Sequence, residues 1–439
     1  MCTEDVNKLL NIVFVLPEFV TERAAGGLAT YYDNISRLLA DDGNVVTVFV
    51  LSDLDECIDY YPNVTVYRVI IDSSEVDPNI PSSYMRQWSR GINKRVKEFK
   101  NAGNIIDIIQ YANYMGLGVD RLDDVPTVVR ISSFQPLMRA ASRLNFDIKI
   151  EYVNERAADY LETLTVIKAD AVYSPSQLMT IPFKRETGRL IKVIESPFYP
   201  LRSTRFTKSE MLKGKKYILS FSTLNLLKGI KLIGDSIWNI LNENKELYWV
   251  FAGVEVPWTD NDGVQTLPSE YIYNKAAEFA DRLIFLGKVE RDVLLRIVED
   301  AELCVMPSRI DNLPNTCIEA MAMGKVVIGT KGASFDQLIV DGENGFLIER
   351  ENKDDLIHTV NKALKINQFE KNRIGENAKT RINAMEPSLI KEQLMNLYKE
   401  TIANFVGKPD YSSNVHYRRV CQLYNQLMKD KHFDNMVIE

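Results

Sequence analysis

The feature that most constrains this chain is an alternation, made twice over, of short apolar runs with segments of helical period. In the first half Asn11 to Leu16 has strand length and the apolar character of a parallel strand buried on both faces. A loop with Gly26-Gly27 follows, then Leu28, Tyr31, Tyr32, Ile35, Leu38 and Leu39 recur at helical spacing up to Asp41-Asp42-Gly43. Val45 to Leu51 supplies the next strand and closes a βαβ unit. Ile105 to Ile109, Thr127 to Ile131, Ala171 to Tyr173 and Lys192 to Ile194 continue the series. Pro197 to Lys216, with two prolines and several basic residues, reads as a linker. A second series then runs through Tyr217 to Phe221, Tyr248 to Ala252, Leu283 to Leu286, Leu303 to Met306 and Val326 to Ile328, with helical segments such as Arg291 to Asp300 between them. Such a pattern predicts an α/β protein of two doubly wound domains, residues 1–200 and 215–395, facing each other across an interdomain cleft.

At 439 residues the chain is too long for one core, which agrees with two domains. Its 46% hydrophobic and 26% charged residues are those of an ordinary soluble globular protein. The net charge of −7 argues against general nucleic-acid binding. Five scattered cysteines (Cys2, Cys57, Cys304, Cys317, Cys421) have no metal-ligand spacing and read as reduced thiols of a cytoplasmic protein. The three histidines, His358, His416 and His432, all fall in the last third, which excludes a zinc site or His-based triad built from the first half. The start, Met1-Cys-Thr-Glu-Asp-Val, lacks the basic region of a signal peptide. No run approaches the roughly 20 apolar residues that a membrane-spanning helix needs.

The stretch from Pro307 to Gly324 carries the chemistry. It reads as strand end, loop, short helix and glycine stop, with the carboxylates Asp311 and Glu319 eight positions apart. Pro314 suits the first helical turn, where no backbone N–H is missed. Glu319 then lies about five residues into the helix, roughly 7.5 Å along its axis. A nucleotide diphosphate sugar has matching dimensions: phosphates on the free N–H groups near Asn315 and Thr316, ribose hydroxyls on a carboxylate further in. A solvent-facing acidic helix between two strands is the plainer alternative.

From Asp311 to Glu319 the sequence resembles the paired-acid motif of the retaining glycosyltransferases of family four (the group 1 glycosyltransferases), in an Asn-x-Pro-Asn form with Asp replacing the usual first Glu. Lys325-Val-Val-Ile-Gly-Thr330, Gly332 and Asp341-Gly-Glu-Asn-Gly-Phe-Leu347 continue that pattern without a gap. The resemblance implies the GT-B fold, two facing Rossmann-like domains with acceptor bound mainly by the first and donor by the second. It also implies last helices that cross back to the first domain, a part that Ser388 to Phe405 and Tyr417 to Met428, largely within residues 396–439, can play.

Further positions follow residue by residue. Gly26-Gly27 matches the family's Gly-Gly loop at the domain interface, although a simple βα turn also uses glycine. Lys228-Gly229 matches the cation of the diphosphate clamp, while Thr223 stands where the family has arginine. Arg309 is the candidate to compensate. A lysine at a helix start opposes the helix dipole, so a bound anion explains Lys228 better than helix stability does. Phe285-Leu-Gly-Lys-Val289, with Lys288, resembles the segment that meets the base edge. Leu313 and Pro314 complete the expected donor contacts. Ser132 occupies the place of the family's donor-reaching histidine, and Ile194-Glu195-Ser196-Pro197 departs from its interdomain Asn-Gly. Asp53-Leu54-Asp55 mimics the metal-binding pair of the other large glycosyltransferase fold but lies too early in the series, and Asp260-Asn-Asp-Gly263 lacks the closing Glu of a calcium loop. Both are expected to be turns, and no metal or cofactor is expected.

Between Ser82 and Asn104 six cations, among them Arg86, Arg90, Lys94 and Arg95, face one acid, with Trp88 among them. This suits an anionic membrane surface or a phosphate-bearing acceptor as well as a solvated helix face.

By resemblance the chain is expected to be a metal-independent hexosyltransferase that retains anomeric configuration. Its expected donor is a nucleotide diphosphate sugar, a UDP-sugar first, and its expected acceptor a glycan or glycoconjugate of polysaccharide biosynthesis, met in the cytoplasm or at the inner membrane face. Lys228 and the helix-start N–H groups would stabilise the leaving diphosphate, Asp311 would hold sugar hydroxyls and Glu319 the ribose, and a donor phosphate oxygen would take the acceptor proton. The alternative, kept open by Thr223 and Ser132, is a non-catalytic relative that binds nucleotide sugar or a partner protein. An epimerase of the same fold would bring acid/base groups of which no clear set is present.

Overall fold

The computed structural model describes residues 8–22, 26–72, 82–145, 153–199, 212–260, 262–407 and 410–429. Cys2, His432, Asn261 and residues 200–211 of the expected linker lie outside them. The chain divides into two compact units, one of residues 1–136, 149–197 and 387–439, the other of 137–148 and 198–386. The second unit thus ends at Glu386 rather than 395, because the helix that follows contributes its apolar face to the first unit's core.

The first unit is built on an eight-stranded sheet: β1 (Asn11–Leu16), β2 (Val45–Leu51), β3 (Glu56–Tyr61), β4 (Val64–Val69), β5 (Ile108–Ala112), β6 (Thr127–Arg130), β7 (Ala171–Ser174) and β8 (Lys192–Val193), in the order β3-β4-β2-β1-β5-β6-β7-β8. All neighbours are parallel except β3 with β4. The parallel strands are buried on both faces, which is why they read as apolar runs. Two differences from expectation have physical causes. The strand expected at Ile105 to Ile109 lies three residues later: Ile105 is exposed, Asp107 accepts from the Asn11 N–H at 2.7 Å, and the buried strand carries a polar Gln110. The β3–β4 hairpin went unread because β3 is an edge strand that buries neither face, so no apolar pattern marks it.

Helices α1 (Gly27–Ala40), α2 (Ser83–Asn101), α4 (Val153–Lys168) and α5 (Gln177–Thr187) connect these strands, and the chain leaves the first unit within α3 (Gln135–Ala141). It returns in α12 (Pro387–Ala403) and α13 (Val415–Lys429). Ile390, Leu394, Leu397 and Tyr398 of α12 join Tyr32, Ile35 and Leu39 of α1 in one core. There the Tyr398 hydroxyl donates to Gln110 Oε1 at 2.6 Å, and Gln110 Nε2 donates to the Tyr32 oxygen at 3.1 Å. Val420 of α13 packs with Leu161, Leu164 and Ile167 of α4.

The second unit is a six-stranded parallel sheet of β9 (Lys216–Phe221), β10 (Leu247–Ala252), β13 (Leu283–Phe285), β14 (Leu303–Met306), β15 (Val327–Thr330) and β16 (Phe346–Ile348), ordered β13-β10-β9-β14-β15-β16. A small hairpin, β11 (Trp258–Thr259) and β12 (Gln265–Thr266), is closed by Asp260, which accepts from Trp258 Nε1 at 2.9 Å and from the Thr266 hydroxyl at 2.5 Å. Helices α6 (Ile230–Glu243), α7 (Pro268–Lys275), α8 (Arg291–Asp300), α9 (Asn315–Ala322), α10 (Lys353–Lys365) and α11 (Gln368–Asn383) complete the unit. Alternation along the strands sends Ile218, Trp249 and Phe251 into one core and Leu219, Val250 and Ala252 into the other, so helices cover both faces. No helix of the described residues is long and apolar enough to cross a membrane, and Asp53-Leu54-Asp55 is a loop.

Candidate active site

In a doubly wound sheet the natural crevice lies outside the carboxyl ends of the two strands between which the chain order reverses. In the second unit these are β9 and β14, and the loops that leave them carry Lys228 and Asp311. Gly229 turns the first loop into α6 at φ +75°, where a Cβ would lie 1.9 Å from the Pro307 carbonyl oxygen, so only glycine lets the two loops touch. The Arg309 N–H donates to the Leu227 carbonyl at 2.8 Å and fastens them.

Lys228 is held at its base by its own N–H, which donates to Asn225 Oδ1 at 2.9 Å, and its ammonium contacts Asp311 Oδ2. The Asn312 N–H donates to the other Asp311 oxygen at 3.1 Å, and the Ser334 hydroxyl donates to the Asp311 carbonyl at 2.9 Å. The acid and the cation are therefore brought together, each about three-quarters buried or more. A narrow recess beside them is lined by Ser220, Ser222, Lys228, Ser308 and Thr316.

Helix α9 begins at Asn315, with Pro314 at its N-cap rather than in its first turn. Proline's φ is compatible with either place, and no side chain caps the helix, which leaves its first N–H groups directed at the loop. Leu313 is buried in the core beneath and fixes the entry of the helix. Glu319, one turn further, is mostly buried and pairs with Arg291 of α8 at 3.0 Å. Burial pushes the Glu319 carboxyl above the usual carboxylate range, and the Arg291 guanidinium pulls it partly back. Arg291 escaped the sequence reading, yet the signal applied to Lys228 was present: a cation in the first turn of a helix, against the dipole.

Arg309 does not supply the cation missing at position 223. It is 3% exposed, and its guanidinium donates to the carbonyls of Ala141 (3.3 Å), Arg143 and Leu144 (3.0 Å) and pairs with Glu351. All its directions are spent on backbone and carboxylate, so its work is to fix the 141–144 segment. Thr223 and Lys288 are exposed, Lys288 next to Gly287, whose carbonyl accepts from the Gly253 N–H at 2.8 Å.

Gly26, Gly27 and Ser132 belong to the first unit, whereas Lys228, Asp311 and Glu319 belong to the second. Gly26 is the N-cap of α1, and the Glu18 carboxylate already accepts from the Ala29 N–H at 3.1 Å there. A phosphate at that helix start meets a resident anion. The Ser132 N–H donates to Asn113 Oδ1 at 2.6 Å. Of the basic residues on α2, Arg86 pairs with Asp120 (2.9 Å) and Arg95 with Asp55 (2.8 Å). Among the described residues no cluster of three or more histidines, cysteines or carboxylates is placed to hold a metal ion.

Residues 202–381 match the family model of glycosyl transferases group 1. An uncharacterised glycosyltransferase of Methanocaldococcus jannaschii is 27% identical over 156 residues, 32% of this chain and 44% of its own length. The lipopolysaccharide 1,2-N-acetylglucosaminetransferase of Salmonella typhimurium is 26% identical over 155 residues, 35% of this chain and 40% of its own. The chain thus spans less than half the length of these two relatives. A second uncharacterised glycosyltransferase of M. jannaschii is 27% identical over 389 residues, 81% of this chain and 89% of its own. Among solved structures, sucrose-phosphate synthase from Thermosynechococcus elongatus superposes with a TM-score of 0.69 at 16% identity, covering 90% of this chain and 99% of that one. Anabaena HepE in complex with UDP-glucose gives 0.64 at 16% identity, covering 89% and 100%. These likenesses establish the fold.

Proposed function

The second unit is a group 1 glycosyltransferase domain, and from it we propose that the chain transfers a hexose, with retention of configuration, from a nucleotide diphosphate sugar to a glycan or glycoconjugate. The observation that carries this reading is the meeting of Lys228 and Asp311 at the reversal point of the sheet, beside the uncapped start of α9. A diphosphate arriving there competes with Asp311 for the Lys228 ammonium. When the ammonium turns to the phosphates, an Asp311 oxygen is released to accept from sugar hydroxyls, so donor binding itself sets the second contact. Glu319 would take the ribose hydroxyls, exchanging Arg291 for them. As the anomeric bond breaks, Lys228 and the α9 N–H groups stabilise the departing diphosphate, and a donor phosphate oxygen removes the acceptor proton from the same face. This route asks for neither a side-chain base nor a metal. Uracil is the base we favour, supported by the UDP-glucose held by the structurally similar HepE.

A second reading has its own support. With Thr223 exposed and Arg309 engaged elsewhere, Lys228 is, among the described residues expected to form the clamp, the one cation left, and it is already paired. A protein that binds nucleotide sugar without transferring it fits that weaker clamp. Thermal unfolding against a panel of nucleotide sugars separates the two readings. A donor at about 100 times its Kd adds about 2.7 kcal/mol. Stabilisation followed by turnover with acceptor supports the transferase, whereas stabilisation without transfer or hydrolysis supports the binder. A panel in which no nucleotide sugar stabilises the protein overturns both.

A further inference from the structure

Helix α8 opens with a cation where helix electrostatics favours an acid. Arg291 is its first residue, and no side chain caps the helix at Glu290. The positive end of a helix dipole repels an arginine, so local helix stability does not account for this one. Its side chain is 63% exposed, and its one ion pair among the described residues is with Glu319 of α9, at 3.0 Å.

Glu319 accounts for the placement from the other side. Its side chain is only 17% exposed, Arg291 meets its Oε1, and no described residue donates to its Oε2. A carboxylate so enclosed is driven toward its neutral form, and a neutral carboxyl accepts hydroxyl hydrogen bonds less well than an ionised one. Burial does raise the Glu319 carboxyl, and Arg291 is the charged group that acts against the rise. The other charges around it are engaged or turned to water. On α11, which packs beside α9, Lys379 pairs with Glu376, and the Arg381 guanidinium donates to the Gln337 carbonyl at 3.2 Å. Strand β15, which α9 also covers, carries no charged residue. In the loop before α9 Asp311 pairs with Lys228, and on α8 Glu290 and Asp292 are exposed.

We propose that Arg291 is a positioning residue of the donor site, holding the Glu319 carboxylate charged and in place until two ribose hydroxyls take over from it. The inference rests on the donor site proposed above and gives a part to a residue outside the paired-acid motif. In the empty site the guanidinium holds one oxygen and leaves the other for the first hydroxyl. The second hydroxyl then replaces the guanidinium, which is exposed enough to turn to water.

The loss of such a role shows in pH. Ribose hydroxyls donate to the ionised carboxylate. Without Arg291 that carboxyl titrates higher, so affinity falls at acid pH, whereas at alkaline pH Glu319 is ionised in both proteins and the difference closes. An arginine that merely packs would alter affinity equally at every pH.

Calorimetric titration of the full-length protein with UDP, between pH 5.5 and pH 9, compares the parent with Arg291→Met and Arg291→Lys. Dividing parent affinity by variant affinity at each pH removes the titration of UDP itself. For Arg291→Met the quotient should lie within about twofold at pH 9 and climb toward about tenfold at pH 5.5, as a displacement of about one pH unit gives. At pH 6, titrations in two buffers of different ionisation enthalpy should show Arg291→Met releasing more protons per UDP bound than the parent. Arg291→Lys, which keeps the charge, should stay near the parent throughout. A quotient that is flat in pH, whether large or close to one, overturns the inference and leaves the donor site standing. So does an Arg291→Lys variant that loses as much as Arg291→Met. Failure of UDP to bind the parent at any pH overturns both.

Discussion

Lys228 and Asp311, 83 positions apart in sequence, form one ion pair because adjacent strands of the second sheet deliver their loops side by side. The pair makes the two charges mutually dependent. Asp311→Ala frees the ammonium, so UDP alone should bind this variant at least as tightly as the parent while sugar transfer falls. Lys228→Ala should weaken UDP binding and slow transfer by about 10²-fold. Calorimetric titration with UDP, set beside single-turnover rates, checks both.

Glu319 gives a prediction in pH. Its carboxyl titrates above the usual range because burial penalises the charged form. A group raised on folding contributes stability that is complete below its unfolded pKa and is lost as pH rises through its folded pKa. Glu319→Gln mimics the neutral form, so its melting temperature relative to the parent should rise between pH 4 and pH 8. A difference that stays flat across that range removes the buried carboxyl from the account. Glu319→Ala should also abolish the donor-induced stability shift.

Arg309→Met tests the reassignment of that residue. Removing the guanidinium leaves three carbonyls and Glu351 without their donor, and about 3 kcal/mol of stability in urea should be lost. Affinity of the folded protein for UDP should stay within about twofold. A large loss of UDP affinity with little loss of stability would return Arg309 to the donor site.

How far the site was legible depended on how local its parts are. Asp311, Asn315 and Glu319 share one loop and helix, so spacing alone set their separation. Lys228 was picked out by its match to the clamp cation of the family that the sequence resembles, and its opposition to a helix dipole supported that choice. The tie of Arg309 to residues 141–144 is invisible in sequence, because that segment belongs by chain position to the first half and by packing to the second unit. The Arg291–Glu319 pair joins two helices and leaves no shared pattern. In the fold, apolar strands buried on both faces were readable as such, whereas the edge strand β3, buried on neither face, and the Gln110-bearing β5 were missed or displaced.

Gly229→Ala should be among the most damaging single substitutions. Alanine is strained at φ +75°, and its Cβ would collide with the Pro307 carbonyl, so about 3 kcal/mol or more is expected to be lost. Denaturant titration of the purified variant measures this directly.

The thiols should differ sharply. Cys304 is fully buried and pushed up to about 12, and burial raises Cys317 as well, whereas Cys57 is exposed. Iodoacetamide at pH 8 should modify Cys57 within minutes and Cys304 and Cys317 only after unfolding.

The hydrogen bond from Tyr398 to Gln110 spans 288 positions and has a consequence for biosynthesis. During translation the first sheet emerges early but waits for α12 before Gln110 and the apolar groove around it are covered. The intervening unit runs without interruption from residue 198 to 386 and takes in one earlier segment, 137–148, so it can fold while its host is still unfinished. A ribosome stalled at residue 200 would carry an unclosed, sticky intermediate, and one stalled only after α12 has cleared the exit tunnel would carry a protease-resistant product.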